Sequence, residues 1–467
     1  MPGQRVLLVN TNRCTTPDPV FPLGLAHLSA ALRRAGHDTR WLDVYASRDS
    51  LADVLMDYRP DFVGVSLRNI DDALILKKET YYGELPALCE VVRQTNPCPV
   101  ILGGSGFSLF PERLLELSGA DFGIQGEGEG SFPLLISKLS NDGDYFNIPG
   151  LVFRRGGEVV VNSQRPATPD ARLDSDDRPR QLAQHYLRTS GMLNLQTQRG
   201  CAQLCCYCTY PLIEGRAHRS RPPETVADEM AQIQDQGAEY VFIVDSVFNS
   251  SIRHVVEICE AIIRRNLKLR WGCFLRPQGL TSELVRLMVR AGLAHIEFGS
   301  DSLCDDVLAE YQKDFAFDDI LYSSELALQQ KVDFCHYLIC GGPGETLETL
   351  QTTFLNSQRL NGAVIMAVTG MRIYPGTTLY QRALREGCIT AETDLLMPEY
   401  YLSPGLTPDG VLARLREFAA RSPNWIVGDP PPEYGRLVCR LRSRGVLGPL
   451  WSYFAMLQRI MPQRLGT

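Results

Sequence analysis

The chain has 467 residues, which on a prior of one domain per ~150 residues gives two to four domains with cores of their own. At 44% hydrophobic, 22% charged and 9% aromatic residues it sits near the globular average, which excludes a disordered or fibrous chain. Forty-seven basic against 54 acidic residues give a net charge of −7, which excludes a nucleic-acid binder that relies on a global positive field.

At the N-terminus, residues 1–20 lack the charged, apolar and cleavage-site regions of a signal peptide, and no apolar run reaches the ~18 residues of a bilayer span, so the expected compartment is the cytoplasm. Up to about residue 145, short β-branched runs alternate with helical patterns: Arg5–Val9, Arg40–Val44, Phe62–Leu67, Pro99–Leu102 and Phe122–Gln125 are the predicted strands. Five βα units predict a parallel, doubly wound sheet, an α/β fold whose ligands sit beyond the carboxyl ends of the strands. The loops there supply the candidate binding residues: Asn10 and Thr11, Leu23 and Gly24, Ser66 and Arg68, Gly103, Gly104 and Ser105, and Gly126, Glu127 and Gly128. Glycines at such ends let backbone N–H groups approach a ligand closely. A Gly-x-Gly-x-x-Gly fingerprint after the first strand is missing, which argues against a nicotinamide or flavin domain.

Together, Pro22-Leu23-Gly24-Leu25, Pro60 to Asn69, Leu102-Gly103-Gly104-Ser105-Gly106 and Gly126-Glu127-Gly128-Glu129 resemble the cobalamin-binding domain that precedes the catalytic domain of many radical S-adenosylmethionine enzymes. The Asp-x-His-x-x-Gly motif, whose histidine ligates cobalt in other cobalamin proteins, is absent; His27 and His37 are the only histidines of the region. The resemblance therefore implies cobalamin without a protein imidazole, with Arg68 or a water beneath the ring.

Residues 149–162 alternate around Arg155-Gly156-Gly157, a hairpin signal, and residues 165–180 carry Pro166, Pro169 and Pro179 among four aspartates, a linker. From 193 the alternation resumes, with strands near Leu193–Gln196, Tyr240–Val244, Arg270–Leu275, His295–Gly299, Phe334–Ile339 and Ala367–Tyr374. Six units predict a partial (β/α)6 barrel with its site at the strand C-terminal ends. The expected division is 1–148 for the first domain, 149–190 for hairpin and linker, 191–392 for the barrel, and 393–467 for a C-terminal region over the active site.

Fourteen cysteines without a secretory signal argue for reduced thiols and metal chemistry. Four of them crowd into residues 201–208, where Cys201, Cys205 and Cys208 form Cys-x-x-x-Cys-x-x-Cys. Three thiolates so close can ligate three irons of a cubane and leave the fourth open, whereas structural zinc needs a fourth ligand, for which His218 is the nearest candidate. Cys206 reads as a bystander thiol. This loop after the first strand of a six-unit barrel resembles the radical S-adenosylmethionine superfamily over roughly residues 193–390. The resemblance implies that the three cysteines hold a 4Fe-4S cluster whose open iron chelates S-adenosylmethionine, with Tyr207 facing the adenine. It also implies strand-end roles: Asp245, Arg276, Glu297 and Ser300 for the cofactor, Glu297 at the ribose hydroxyls, and Asp245, Arg276 and Lys313 as candidate catalytic residues.

In the tail, the stretch from Arg436 onward holds six arginines and no acidic residue, together with apolar residues from Val446 to Ile460. Such a pattern is more often a helix over the barrel mouth; contact with an anionic partner or membrane surface is the other reading. The expected function is cobalamin-dependent radical C-methylation of a small-molecule, natural-product or lipid substrate, with a reductant such as flavodoxin or ferredoxin and no nucleic-acid partner. Radical cyclisation or rearrangement without methyl transfer, and a non-catalytic cobalamin or cluster sensor, are the alternatives. Methylthiolation of tRNA fits poorly, because Cys14, Cys89 and Cys98 are too scattered to hold a second cluster.

Overall fold

The computed structural model describes residues 3–15, 18–164, 178–428 and 440–453. Strands β1 (Arg5–Asn10), β2 (Asp38–Asp43), β3 (Phe62–Ser66), β4 (Val100–Gly103) and β5 (Phe122–Ile124) form the expected parallel sheet. Val6, Leu7, Leu8 and Val9 of β1 are all fully buried, because helices cover both faces of the sheet. The hairpin β6 (Leu151–Arg155) and β7 (Glu158–Val161) pairs antiparallel beside β5, giving the order β2-β1-β3-β4-β5-β6-β7. The hairpin expected outside the first domain is thus the edge of its sheet. Most of the linker, with Pro166 and Pro169, lies outside the described residues.

The second sheet begins at β8 (Leu193–Leu195). The two-residue strands β9 (Gln198–Arg199) and β10 (Arg219–Ser220) then pair across the cysteine loop. The other staves are β11 (Tyr240–Ile243), β12 (Arg270–Leu275), β13 (Leu293–Asp301), β14 (Asp333–Cys340) and β15 (Val364–Thr369). The sixth predicted strand stops early. Past Thr369 the chain turns into β16 (Met371–Arg372), which pairs antiparallel with β17 (Tyr400–Tyr401). A seventh parallel stave, β18 (Trp425–Val427), completes the order β18-β15-β14-β13-β12-β11-β8.

The Leu23–Arg34 helix ties the two units together. Leu25 and Leu32 pack in the core of the first sheet, while Leu23, Ala26 and Ala30 join the core around the barrel. Nearby, Tyr186 Oη donates to Asp43 Oδ2 at 3.0 Å and Asn194 Nδ2 donates to the Phe21 carbonyl at 2.9 Å. The described part of the tail, 440–453, does not cover the mouth. Trp451 packs with Cys335, Val364 and Ile426, and Gly448 lies against the Tyr240 ring, so this segment plugs the barrel near the N-terminal ends of its strands. The remaining arginine-rich stretch is outside the described residues.

Candidate functional site

A cavity of about 630 Å³ opens where the C-terminal ends of both sheets face each other. On the first sheet's side, Asn10, Leu23, Gly24, Ser66, Arg68, Gly103, Gly104, Ser105, Gly126, Glu127 and Gly128 all line it. Thr11 does not; its hydroxyl donates to the Ser66 carbonyl at 2.9 Å. Asn10 is committed to structure as well, donating to Asp43 Oδ2 at 2.8 Å. Gly104 stands at φ +98, and a Cβ there would meet the Leu67 carbonyl oxygen at 2.6 Å, so the β4 turn requires glycine. His27, to which the sequence reading assigns no function, also lines the cavity: it is 3% exposed and neither ring nitrogen has a partner. Burial, followed by Arg199, Arg221 and Arg178, holds its pKa well below the usual range, so the ring is neutral.

On the barrel side the lining comes from Asn194, Gln196, Arg199, Thr209, Tyr210, Ile213, Glu214, Val244 and Tyr374. Thr209 and Tyr210 follow the cysteine loop directly. Glu127, expected to face a ligand, and its neighbour Glu129 are engaged across the domain boundary. Glu127 pairs with Arg219, and Glu129 Oε1 accepts from Arg199 Nη2 at 2.6 Å. The charged Gly-Glu-Gly-Glu loop therefore docks the first sheet onto the ribbon that brackets the cysteines.

Cys201 is buried and Cys205 and Cys208 are partly buried, in a loop starting at Gly200 (φ +87), where a Cβ would collide with the Ala217 carbonyl. Cys206 points the other way. Its Sγ packs 3.9 Å from Met371 Sδ, its N–H donates to the Tyr311 carbonyl at 3.0 Å, and burial pushes its thiol up to about 12. Among the described residues no three His, Cys, Asp or Glu side chains, His218 included, surround a single-ion position.

The strand-end candidates separate into two groups. Arg276 reaches the loop: with the Gln203 amide turned so that its oxygen faces the guanidinium, it accepts from Nη1 at 2.7 Å; Asp314 pairs with Arg276 at 2.8 Å, and the buried Nε of Arg276 has no partner. Lys313 also reaches the loop, lying beside the Cys205 thiol in an ion pair with Asp301. Tyr207 joins them, donating from Oη to Asp301 Oδ2 at 2.6 Å.

Asp245, Ser300 and Glu297 belong elsewhere. Asp245 is fully buried and accepts from Thr197 N at 2.6 Å, Thr197 Oγ1 and Gln198 N at 3.2 Å. Burial pushes its carboxyl up to about 7, and it fixes the approach to the cysteine loop instead of facing a cofactor. Ser300 is on the outer face of β13, 2.8 Å from His336 Nδ1. Glu297 points into the barrel interior, where its oxygens accept from Trp451 Nε1 at 3.0 Å and Tyr337 Oη at 2.9 Å, away from the cavity. Trp451→Phe, which leaves Glu297 Oε1 buried without that donor, is expected to cost about 1–3 kcal/mol of stability. A denaturation midpoint unchanged by the substitution would show that Glu297 does not anchor the tail.

Residues 12–136 match the family model described as B12 binding domain, and residues 195–355 match Radical SAM superfamily; together they span well over half of the chain. The chain belongs to the cobalamin-dependent radical S-adenosylmethionine enzymes. The tryptophan 2-C-methyltransferase of Streptomyces laurentii is 26% identical over 82% of this enzyme and 75% of its own length. The cytidylyl-2-hydroxyethylphosphonate methyltransferase of Streptomyces wedmorensis is 25% identical over 90% of each chain. The structure of the methyltransferase TsrM from Kitasatospora setae, with cobalamin and a [4Fe-4S] cluster bound, superposes with a TM-score of 0.86 at 25% identity, covering 99% of both chains. The cofactors of the enzyme are accordingly cobalamin, a 4Fe-4S cluster and S-adenosylmethionine. Its residues fit them. The cavity presents a glycine cradle at Gly104 and the unpartnered nitrogens of His27 to a ligand rich in polar groups, and the thiols of one short loop form a sulfur donor set suited to iron. No described helix is long and apolar enough to cross a membrane.

Proposed function

We propose that the enzyme transfers a methyl group from S-adenosylmethionine, by way of cobalamin, to a carbon of a small-molecule substrate. The observation that carries this reading is the shared cavity, which reaches from Arg68 and Gly104 at the ends of the first sheet to Thr209 and Tyr210 beside Cys208. Opposed sites on one shared cavity supply the proximity that transfer between two cofactors and a substrate requires.

When bound, cobalamin supplies a methyl carrier, and the cluster with S-adenosylmethionine supplies the methyl source and a route to radical chemistry. The chain's own residues hold the geometry. Cys201, Cys205 and Cys208 take the cluster, and Arg276, with its unpartnered Nε, offers a cation to the carboxylate of S-adenosylmethionine. Arg68 stands at the cavity wall, among the residues that would hold cobalamin. The relatives named for tryptophan and for a cytidylyl phosphonate support a small, polar natural-product precursor as the substrate class. An external low-potential reductant of the flavodoxin or ferredoxin kind completes the scheme.

The test is anaerobic reconstitution with iron, sulfide and cobalamin, then mass spectrometry after incubation with methyl-labelled S-adenosylmethionine and candidate substrates, tryptophan first. A product carrying the labelled methyl is expected. A substrate-derived product with no label would replace methyl transfer by cyclisation or rearrangement. No consumption of S-adenosylmethionine with any candidate would point to a sensor.

A further inference from the structure

Beside the cysteine loop lies a small set of buried charges outside the cavity lining. Lys313 and Asp301 form an ion pair with side chains only 7% and 4% exposed. Lys313 Nζ also donates to the Gly299 carbonyl at 3.2 Å and reaches the Cys205 thiol. Asp301 accepts from Tyr207 Oη on the other side, so the pair is tied to the loop at two consecutive odd positions, Cys205 and Tyr207.

The backbone is arranged to make this contact. Asp301 is held at φ +64, a conformation that non-glycine residues adopt only where their surroundings over-determine it, and it falls where the β13–β14 register shifts. The shift turns its carboxylate toward Lys313 and Tyr207 on the cysteine loop, whereas Ser300 beside it faces outward to His336. Lys313 follows Gln312, also at positive φ (+61), and its ammonium lies 5.8 Å from the centres of both the Tyr207 and Phe315 rings.

We propose that Lys313 and Asp301 act as an opposed pair that sets the reduction potential of the cluster held at Cys205, the ammonium favouring the reduced form and the carboxylate disfavouring it. The proposal rests on Cys201, Cys205 and Cys208 being the cluster ligands. Reduction brings one electron from an external donor onto the iron and its sulfurs, without a compensating bond change in the protein. A positive charge against one ligating sulfur stabilises that added electron, and a negative charge opposes it. Burial matters because screening by water would erase either effect at an exposed site. Hydrogen bonds to sulfur and local charge are the levers by which proteins shift such potentials. Lys313 is thus a positioning residue that acts through Cys205.

The full-length chain, reconstituted anaerobically, would be titrated potentiometrically while paramagnetic resonance follows the reduced cluster, with iron and sulfide content as the control for assembly. Lys313→Met is expected to lower the one-electron reduction equilibrium about tenfold, ~59 mV towards more negative potential. Asp301→Asn is expected to move the potential in the opposite direction. Shifts of opposite sign are the signature, because a merely structural pair would lose cluster in both variants or move neither. Shifts of the same sign, or potentials that stay at the wild-type value in loaded protein, overturn the proposal. If Lys313→Met takes up no iron, the sign of the Asp301→Asn shift decides: a rise supports the pair's role, and a fall or no change removes it. A wild-type chain that assembles no cluster, or Cys205→Ala that keeps one, would instead sink the ligand assignment, a result distinguishable from unmoved potentials in loaded variants.

Discussion

Replacing any one of Cys201, Cys205 and Cys208 by alanine is expected to abolish both the iron–sulfur absorbance and all turnover, while Cys206→Ala keeps both. A cubane bound through three thiolates has no spare protein ligand, so removal of one leaves two of its four irons without a protein ligand. The neighbouring cysteine offers no rescue. Cys206 has its N–H and carbonyl tied to Tyr311 and Leu379 and its sulfur packed against Met371, and turning it toward the loop would break all three contacts. Its alanine variant loses a small buried sulfur, a packing defect of about 1 kcal/mol that leaves the loop in place. Absorbance and iron content of reconstituted variants decide the matter. A dispensable Cys208, or an essential Cys206, would reassign the ligands.

Asp71→Ala is expected to destabilise the enzyme by about 3–5 kcal/mol and to weaken cobalamin binding. Asp71 belongs to the loop after β3 and Arg372 to β16, and their side chains, 1% and 4% exposed, pair at 2.9 Å across the domain boundary. The guanidinium also donates to the carbonyls of Ile373 at 2.7 Å and Leu395 at 2.8 Å, so it is held in place after its partner is removed. An uncompensated buried charge then remains, which is the costly outcome; deleting both charges is much cheaper. The double variant Asp71→Ala with Arg372→Met is therefore expected to recover a large part of the lost stability. The effect on cobalamin follows from position, since Asp71 lines the cavity near Arg68 and Asn69. Denaturant titration and spectroscopic titration with cobalamin measure the two quantities. Equal stability of Asp71→Ala and the wild type would show that water reaches Arg372 and that the pair does not clasp the domains.

The sequence by itself determined what is local or periodic. Alternation of buried runs with helical patterns located every one of the first five strands to within a few residues, and most clearly β1, because a strand covered on both faces must be apolar throughout. The cysteine loop was legible for the same reason: its chemistry depends on spacing within eight residues. The glycine-rich strand ends of the first sheet were legible too, and they line the cavity. Elements that depend on partners were not. The three-residue β18 carries no periodicity of its own and exists because β15 offers it an edge.

Side-chain direction was likewise decided in three dimensions. Glu297, Ser300 and Asp301 lie within five residues of one strand, yet they face the barrel interior, the outer layer and the cysteine loop respectively. A strand reverses face at every residue, and the register shift before Asp301 resets that alternation, so composition could name the stretch without choosing the residue. The family resemblance implies a cofactor role for Asp245; the fold gives it to Thr197 and Gln198, residues 48 and 47 positions earlier. The same holds for Asp71 and Arg372, separated by 301 residues, and for the docking of Glu127 onto Arg219. Charges so distant in sequence carry no local signature, and whether each meets solvent, a cofactor or an opposite charge is fixed only when the two sheets close upon one another.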